Sequence, residues 1–167
     1  MKRNVVALAV AALLAGQKTA LRWKIPAAQR QRIQMVLLRE SGMAQPAIAA
    51  AMGVLDRHLE ALNSGDAFAL AQTLHFPHYR LAGGRMKIWE RSETYLQDFY
   101  ARAGIEWHHS AWDFRKPISS SSGKVHLDVQ FSRYRTDGSV LGRYRSIWVV
   151  SLIDQRWAAQ LRSSFAP

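Results

Sequence analysis

The segment Lys124–Arg133, with the sequence KVHLDVQFSR, alternates strictly between polar and apolar residues and decides the fold prediction. Its apolar positions are Val125, Leu127, Val129 and Phe131. A repeat of two residues places these four side chains on one face of a β-strand and the polar ones on the other. Because antiparallel sheets commonly pack one face on a core and leave the other in water, we predict a strand of such a sheet.

The flanks of this strand continue the same pattern. Downstream, Asp-Gly at 137–138 and Asp-Gln at 154–155 are turn sequences, which delimit predicted strands over 142–152 and 156–165. Upstream, residues 107–117 alternate more weakly and lead into a turn rich in serine and glycine. These four strands form a predicted antiparallel meander.

The residues before the meander mix helical and strand patterns. Apolar residues at helical spacing predict three helices, over 54–62, 67–74 and 93–103. Asp66 and Ser92 are the expected N-caps of the second and third helices. A Gly-Gly pair at 83–84 separates two predicted strands, over 75–81 and 85–90, and indicates a hairpin. The order predicts an α+β fold with helices on one face of a curved sheet.

Four short motifs carry a resemblance to a known superfamily. They are His58–Asp66 (HLEALNSGD), Leu74–Pro77 (LHFP), Thr136–Gly138 (TDG) and Asp154–Gln160 (DQRWAAQ). Through them residues 54–167 resemble the nuclear transport factor 2-like superfamily, which includes ketosteroid isomerases and SnoaL-like cyclases. The resemblance implies a cone-shaped domain, a curved antiparallel sheet wrapped on three helices, preceded here by a short helical extension. Because this fold hosts enzymes, ligand binders and assembly modules alike, the resemblance does not specify an activity.

The isomerases of this superfamily use a carboxylate base, and they hold an enolate oxygen with a tyrosine and a protonated acid. The resemblance aligns His58 with that tyrosine. It places the base near residues 81–83, where there is no carboxylate, and the second acid near Trp148. The ketosteroid-isomerase constellation is therefore absent from the sequence, and the sequence leaves open whether the domain is an enzyme.

The cone is expected to enclose a pocket that is mostly apolar with a few polar groups, as small-molecule sites are. The candidate ligand-binding residues are His75, His78, Tyr79, Trp89, Tyr144, Trp148 and Arg162. The candidate catalytic residues are His58, Asp113 and His109. Alternation places Asp113 and His109 on one strand face, where a His–Asp pair could perform acid–base chemistry. The alternative for that pair is a surface position near the strand end.

Arginine flanks tyrosine on two consecutive predicted strands, at Arg133–Arg135 and Arg143–Arg145. One interpretation is an anion clamp, because guanidinium presents a planar fork to a carboxylate. The other is a charged strand edge or a dimer surface. Asp128 lies on the polar face of its strand, so we expect it to be solvated or at a dimer face.

Metal and thiol chemistry find little support in the sequence. The six histidines show no spacing that brings three or four ligands together, so we expect no metal and no cofactor. The chain has no cysteine, which excludes disulfides, thiolate nucleophiles and Cys-ligated zinc or iron–sulfur sites.

The net charge of +11 is concentrated at the start of the 167-residue chain. Residues 1–53 have eight Lys/Arg and one acid, giving +7, whereas residues 54–167 have fifteen and eleven, giving +4. Within the predicted leader 1–18, Met1–Gly16 places two cations before an apolar run, as a signal peptide does. The run is too short to span a membrane. We expect a cytoplasmic protein without a transmembrane segment, or an exported one if Met1–Gly16 acts as a signal peptide.

Residues 19–54 resemble the N-terminal helix-turn-helix of insertion-sequence transposases, through the stretches 30–43 and 45–54. The resemblance implies that the DNA-reading helix comes next. Here Asp56 and Glu60 in that helix would face phosphate, which opposes DNA contact. We therefore interpret residues 19–53 as a truncated helix-turn-helix-like extension in which Gly53 ends the second helix, and we expect no nucleic-acid partner.

The sequence leaves three possible functions, which a structure can distinguish. The first is binding of a small apolar or carboxylate-bearing ligand in the cone pocket of residues 54–167. The second is a non-catalytic accessory or assembly module that forms a homodimer through its sheet, and the third is DNA binding by the N-terminal helices. A deep cavity that contains a histidine or aspartate supports the first, and a cone filled by Trp and Phe side chains supports the second.

Overall fold

The computed structural model describes residues 44–165 of the chain, and these contain three helices and six strands. The helices are α1 Gln45–Ser64, α2 Ala67–Gln72 and α3 Ser92–Ala103. The strands are β1 Leu74–Ala82, β2 Arg85–Trp89, β3 His109–Ser121, β4 Lys124–Tyr134, β5 Val140–Ile153 and β6 Arg156–Ser164. The predicted leader and the first helix of the helix-turn-helix-like extension lie outside the described residues.

The six strands form one curved sheet in the order β2-β1-β6-β5-β4-β3. The predicted meander is confirmed, because β3, β4, β5 and β6 pair successively and antiparallel. β1 and β2 form the predicted hairpin. The α+β class is therefore confirmed, with one departure: β1 pairs with β6 in parallel, so the sheet is not antiparallel throughout.

The first described helix corrects the predicted boundary at Gly53. α1 runs without a break from Gln45 to Ser64 and joins the two helices expected on either side of that glycine. A single Gly inside a helix costs only about 1 kcal/mol relative to Ala. Ala51, Val54 and Leu55 are fully buried around it, so packing of this face outweighs the local cost.

Side-chain hydrogen bonds hold the end of α1 and the start of α2. Asn63 exchanges two 2.8 Å hydrogen bonds with the backbone N–H and C=O of Ser110, which fixes α1 against β3. The expected Asp66 cap is confirmed, since its Oδ1 accepts a hydrogen bond from the Ala69 amide at 2.9 Å. The expected Ser92 cap is wrong: Ser92 is the first residue of α3, and Arg91 precedes it without a side-chain cap.

The β1–β2 hairpin presents two chemically different faces. His78 pairs with Trp89, and these two buried residues share the inner face of the sheet with Arg80. Tyr79 pairs with Ile88 on the opposite, outer face. The period of two therefore separates a polar and aromatic inner face from an apolar outer one.

No helix within residues 44–165 combines the length and the apolar character that crossing a membrane would require.

Candidate functional site

A cavity of about 220 Å³ lies between α1, α3 and the inner face of the sheet. Its aromatic walls come from Tyr95, Phe99, Trp112, Phe131, Tyr144 and Trp148. Its hydroxyl groups come from Ser110, Ser146 and Ser164 and from the phenols of Tyr95 and Tyr144. An apolar cavity of about 150 Å³ is large enough for benzene, so this one has the size for a substituted aromatic ring.

Four guanidinium groups reach this cavity from four different elements of the fold. They belong to Arg80 of β1, Arg102 of α3, Arg133 of β4 and Arg162 of β6. Among residues 44–165, neither an aspartate nor a glutamate lines the cavity. Low-dielectric walls around charges of one sign focus the electric field, so the interior attracts anions.

Arg162 is the most enclosed of these cations, with only 7% of its surface exposed. Its guanidinium carbon lies 5.2 Å from the ring centroid of Tyr95 and 5.3 Å from that of Trp148. Its Nε and Nη2 atoms are buried and have no hydrogen-bond partner among the described residues. Burial lowers the pKa of Arg162, yet a guanidinium stays protonated in proteins. Tyr95 and Asp98 favour the charged form, but no carboxylate within residues 44–165 hydrogen-bonds to the guanidinium, so the side chain presents a charge without an ionic partner.

Arg133 is similarly buried and is stacked between aromatic rings. Its guanidinium carbon is 4.6 Å from the ring centroid of Tyr144 and 5.4 Å from that of Phe99. Its Nη1 donates a 3.1 Å hydrogen bond to the carbonyl of Arg102, whereas its buried Nε has no partner in the described part of the chain. Burial lowers the pKa of Arg133 as well. This side chain brings a second incompletely paired charge to the cavity.

The other two guanidiniums each donate a hydrogen bond from Nε, although Arg102 Nη2 is also buried without a partner among the described residues. Arg80 donates from Nε to Ser164 Oγ at 3.1 Å, and burial, then Arg162 and Arg102, lower its pKa to about 10. Arg102 donates from Nε to Asp98 at 2.7 Å. Although burial opposes ionisation of Asp98, hydrogen bonds from Lys87 and Arg102 hold its pKa below the usual range. This one carboxylate offsets only part of the positive charge.

His58 lines the cavity from the buried face of α1, with 3% of its surface exposed. Its Nδ1 lies 2.8 Å from Thr73 Oγ1, and that hydroxyl donates its proton to the Leu70 carbonyl at 2.7 Å. Burial, and secondarily the charge of Arg162, lower the pKa of His58 to about 3. His58 is therefore neutral at physiological pH.

Of the sequence-predicted residues, His58, Tyr144, Trp148 and Arg162 all line the cavity. Trp89 lies behind that lining, with its ring centroid 6.0 Å from the Arg162 guanidinium.

The histidines at 75 and 78 are built into the scaffold instead. His78 is fully buried and donates from Nδ1 to the Ala159 carbonyl at 3.1 Å. His75 Nε2 donates to the Ser151 carbonyl at 3.0 Å, and its Nδ1 accepts from Arg156 at 3.2 Å. Neither lines the cavity, and Tyr79 lies on the outer face of the sheet. The structure therefore places these three away from the site.

The expected pocket pair of Asp113 and His109 does not reach the cavity. Trp112 of β3 faces the interior, so its neighbour Asp113 points outward, where it accepts hydrogen bonds from Ser132 Oγ and Gln130 Nε2. His109 stacks on Tyr134 with ring centroids 4.9 Å apart. The large apolar side chain takes the core side of the strand, which corrects the prediction.

The two arginine–tyrosine segments divide between the faces of the sheet. Arg133 and Tyr144 line the cavity, as the anion-clamp interpretation requires. Arg143 and Arg145 are exposed, and Arg145 forms a two-bond ion pair with Asp128 at 2.8–2.9 Å. The strand-edge interpretation is wrong, because β4 and β5 both lie inside the sheet.

Arg80 and Arg102 are the site residues that sequence reasoning missed, although both leave a pattern. Arg80 follows His78 by two residues and so shares its strand face. Arg102 follows Phe99 by three residues on the buried face of α3. Applying the strand period of two and the helical spacing of three to charged residues would have predicted both arginines.

Within residues 44–165, no group of three or more His, Asp or Glu side chains is placed to hold a metal ion. The cavity offers donors from guanidiniums and hydroxyls, together with flat aromatic walls. This arrangement can retain a small anion that has an apolar body.

Comparisons with known proteins show which known fold this chain shares. No protein-family model matches the chain, and no curated protein matches it. Among solved structures, it resembles a cystatin-like-fold protein of unknown function from Nostoc punctiforme, with a TM-score of 0.61, 12% identity and coverage of 75% of this chain and 94% of that one. It also resembles a nuclear transport factor 2-like protein of unknown function from Shewanella oneidensis, with a TM-score of 0.55, 16% identity and coverages of 71% and 98%.

A third structure, from Xanthomonas campestris, has the proposed identity of a calcium/calmodulin-dependent protein kinase II association domain. It has a TM-score of 0.52, 15% identity and coverages of 70% and 84%. At these identities the likeness shows the fold alone, and that fold is nuclear transport factor 2-like. The expected transposase resemblance of the N-terminal residues is not shown by these comparisons.

Proposed function

We propose that the protein binds a small organic carboxylate in the cavity between the helices and the sheet. The observation that carries the proposal is Arg162, a buried cation with unpartnered Nε and Nη2 in a cavity that no described acid lines. The proposal concerns binding and includes no reaction.

The energetic argument rests on the cost of an uncompensated buried charge. Removing a cation from water is expensive unless a partner compensates it, and the cost reaches several kcal/mol per ion. A carboxylate can accept two parallel hydrogen bonds from one guanidinium. A bound carboxylate would therefore supply the partner that Arg162 lacks in the protein alone.

The walls suit the rest of such a molecule. Trp112 and Phe131 have ring centroids 5.9 Å apart, and Trp112 and Trp148 are equally spaced. Flat apolar surfaces of this kind pack well against a planar or aliphatic body. Benzoate, which joins one ring to one carboxylate, is therefore a suitable probe.

The test is a titration with benzoate, followed by isothermal titration calorimetry and by tryptophan fluorescence, to which Trp112 and Trp148 in the cavity wall contribute. Benzamide is the matched neutral ligand. We expect benzoate to bind, and Arg162→Met to weaken it about 10- to 100-fold, as expected for loss of a charge-assisted hydrogen bond. Arg145→Met is the matched control, because Arg145 is exposed and pairs with Asp128.

Three results would contradict the proposal. The first is the absence of benzoate binding to the wild type. The second is equal binding of benzoate and benzamide, which would show that the charge is not recognised. The third is an equal loss in the Arg162 and Arg145 variants, which would show a general effect of charge.

A second proposal is self-association through the outer face of the sheet. Leu81, Met86 and Ile88 are 39%, 56% and 49% exposed there, and their register places them on one side of the hairpin. A cluster of exposed apolar side chains commonly marks a protein interface. The association-domain assignment of the Xanthomonas structure agrees with this proposal, which places a homodimer contact opposite the cavity.

The oligomeric state is measured by light scattering after size exclusion. The dimer proposal expects a dimer in the wild type and a monomer in Met86→Glu/Ile88→Glu. Ile105→Glu changes a fully exposed residue outside the hairpin and serves as the control. A monomeric wild type, or a dimer that survives the double substitution, would refute the proposed interface. DNA binding by the N-terminal helices stays the third hypothesis.

A further inference from the structure

The hydrogen bonds around His58 determine which of its ring nitrogens carries a proton. Thr73 Oγ1 has one proton and donates it to the Leu70 carbonyl at 2.7 Å. The same oxygen lies 2.8 Å from His58 Nδ1, so it can only accept there. His58 therefore carries its proton on Nδ1.

The second nitrogen is left as an acceptor. A neutral imidazole has one N–H and one lone pair, so protonation of Nδ1 leaves Nε2 with the lone pair. No hydrogen bond to Nε2 is formed by another residue within 44–165, and His58 lines the cavity. At the position where the isomerase resemblance implies a tyrosine donor, this chain presents an acceptor.

His58 and Arg162 both contact the indole ring of Trp148. The imidazole of His58 packs edge-on against Trp148 with centroids 5.0 Å apart, and the Arg162 guanidinium lies 5.3 Å from that centroid. The indole N–H of Trp148 is already donated to Ser146 Oγ at 2.9 Å. An occupant that lies against Trp148 therefore meets donors from Arg162 and a lone pair from His58.

We infer that the preferred ligand is a carboxylic acid that also carries a hydroxyl or N–H donor. Its carboxylate contacts Arg162, and its donor hydrogen-bonds to His58 Nε2. The inference rests on the proposed carboxylate binding and narrows the ligand class. A carboxylate without a donor would leave the Nε2 lone pair buried and unpaired, which costs affinity.

The experiment compares benzoate with the 3- and 4-hydroxybenzoates and with the corresponding methoxybenzoates, which cannot donate. Calorimetry at pH 7.5 gives the dissociation constant of each. We expect at least one hydroxybenzoate to bind about fivefold tighter than its methoxy partner, the effect of one hydrogen bond. The same ratio is then measured in a variant without His58, because this comparison cancels the difference in size and polarity between a hydroxyl and a methoxy group.

A double substitution tests whether His58 is the acceptor. His58→Phe/Thr73→Val replaces both polar partners by apolar groups, so that neither is left unpaired in the core. We expect the hydroxy-to-methoxy ratio to fall to about one, because the acceptor for the ligand's donor is removed. Circular dichroism and thermal melting confirm the fold. If the double variant does not fold, His58→Phe alone is expected to give the same ratio, because phenylalanine offers no acceptor.

The outcomes distinguish a failure of the proposed carboxylate binding from a failure of the inference about the donor. If benzoate fails to bind the wild type, the proposed function fails. If benzoate binds but no hydroxybenzoate exceeds its methoxy partner, carboxylate binding stands and this inference is overturned. A ratio that persists after the double substitution also overturns it. Proton uptake on benzoate binding, measured by calorimetry in buffers of different ionisation enthalpy, would also overturn the inference. His58 would then be protonated in the complex and would act as a donor.

Discussion

The guanidinium carbon of Arg162 lies 5.3 Å from the centroid of the Trp148 indole, and both side chains are buried. Within the described chain, no carboxylate hydrogen-bonds to this guanidinium. The same guanidinium lies 5.2 Å from the Tyr95 centroid and 6.0 Å from the Trp89 centroid. Each buried cation–π contact contributes about 2 kcal/mol, and together they offset part of the cost of several kcal/mol for removing a charge from water. Because no ionic partner adds to them, we expect the protein to keep this charge at a net cost in stability.

Arg162→Met is expected to stabilise the protein while it weakens carboxylate binding. Methionine has a similar length and no charge, and replacing buried ionic groups by apolar ones commonly stabilises a protein by about 1–4 kcal/mol. Urea denaturation without ligand measures the change. Lower stability together with intact benzoate binding would show that Arg162 serves the scaffold.

The stability of the protein is expected to decrease as the pH is lowered, because the folded state keeps His58 neutral. Its pKa is about 3 in the folded protein and about 6.5 in the unfolded chain. The unfolded chain therefore binds the proton first as the pH falls. The contribution of His58 to stability is complete above pH 6.5 and is lost between pH 6.5 and 3, at about 1.4 kcal/mol per pH unit.

Denaturation of wild type and His58→Gln at pH 8 and pH 5 measures this contribution. We expect the variant to lose less stability than wild type between the two values. Burial also lowers the pKa of His78, so a smaller dependence remains in the variant. The same loss in both proteins would exclude His58 as a source of the pH dependence.

Thr73→Val tests the hydrogen bond that orients His58. The substitution removes the acceptor of Nδ1–H and leaves a buried donor unpaired, which costs about 1–3 kcal/mol. Long-range nitrogen–proton NMR spectra should show His58 protonated at Nδ1 in the wild type. Protonation at Nε2 in the wild type would contradict the hydrogen-bond scheme.

Asp113→Asn is expected to leave benzoate affinity unchanged. Asp113 lies on the outer face of β3 and hydrogen-bonds to Ser132 and Gln130, so its charge does not line the cavity. Calorimetry of the variant beside wild type measures the affinity. A change of more than about tenfold would return Asp113 to the candidate site.

Local patterns in the sequence predicted much of the fold. The alternation of Lys124–Arg133 gives a strand with a buried apolar face, and the glycines at 83 and 84 give a hairpin, in which both adopt positive φ. Gly53 misled the prediction, because a helix boundary depends on packing around the glycine as well as on the glycine. The parallel pairing of β1 with β6 joins distant residues and leaves no local signal.

The site was harder to predict, for a related reason. Trp148, Tyr144 and Arg162 were named from their strands, and they do line the cavity. His75 and His78 are equally polar in sequence, but their ring nitrogens bind backbone carbonyls of β5 and β6. Whether a polar side chain faces a ligand or the scaffold depends on neighbours that are far away in the chain.

The parallel pairing of β1 and β6 has a consequence for the order of folding. The hydrogen bond from His78 to the Ala159 carbonyl spans 81 residues. Contacts of such long range form slowly, because a large loop must close before they do. Arg162 reaches the cavity on β6, the last strand described. During synthesis the cavity would therefore acquire this charge only after the rest of the sheet has emerged, and a nascent chain would lack the cation that the proposed ligand contacts.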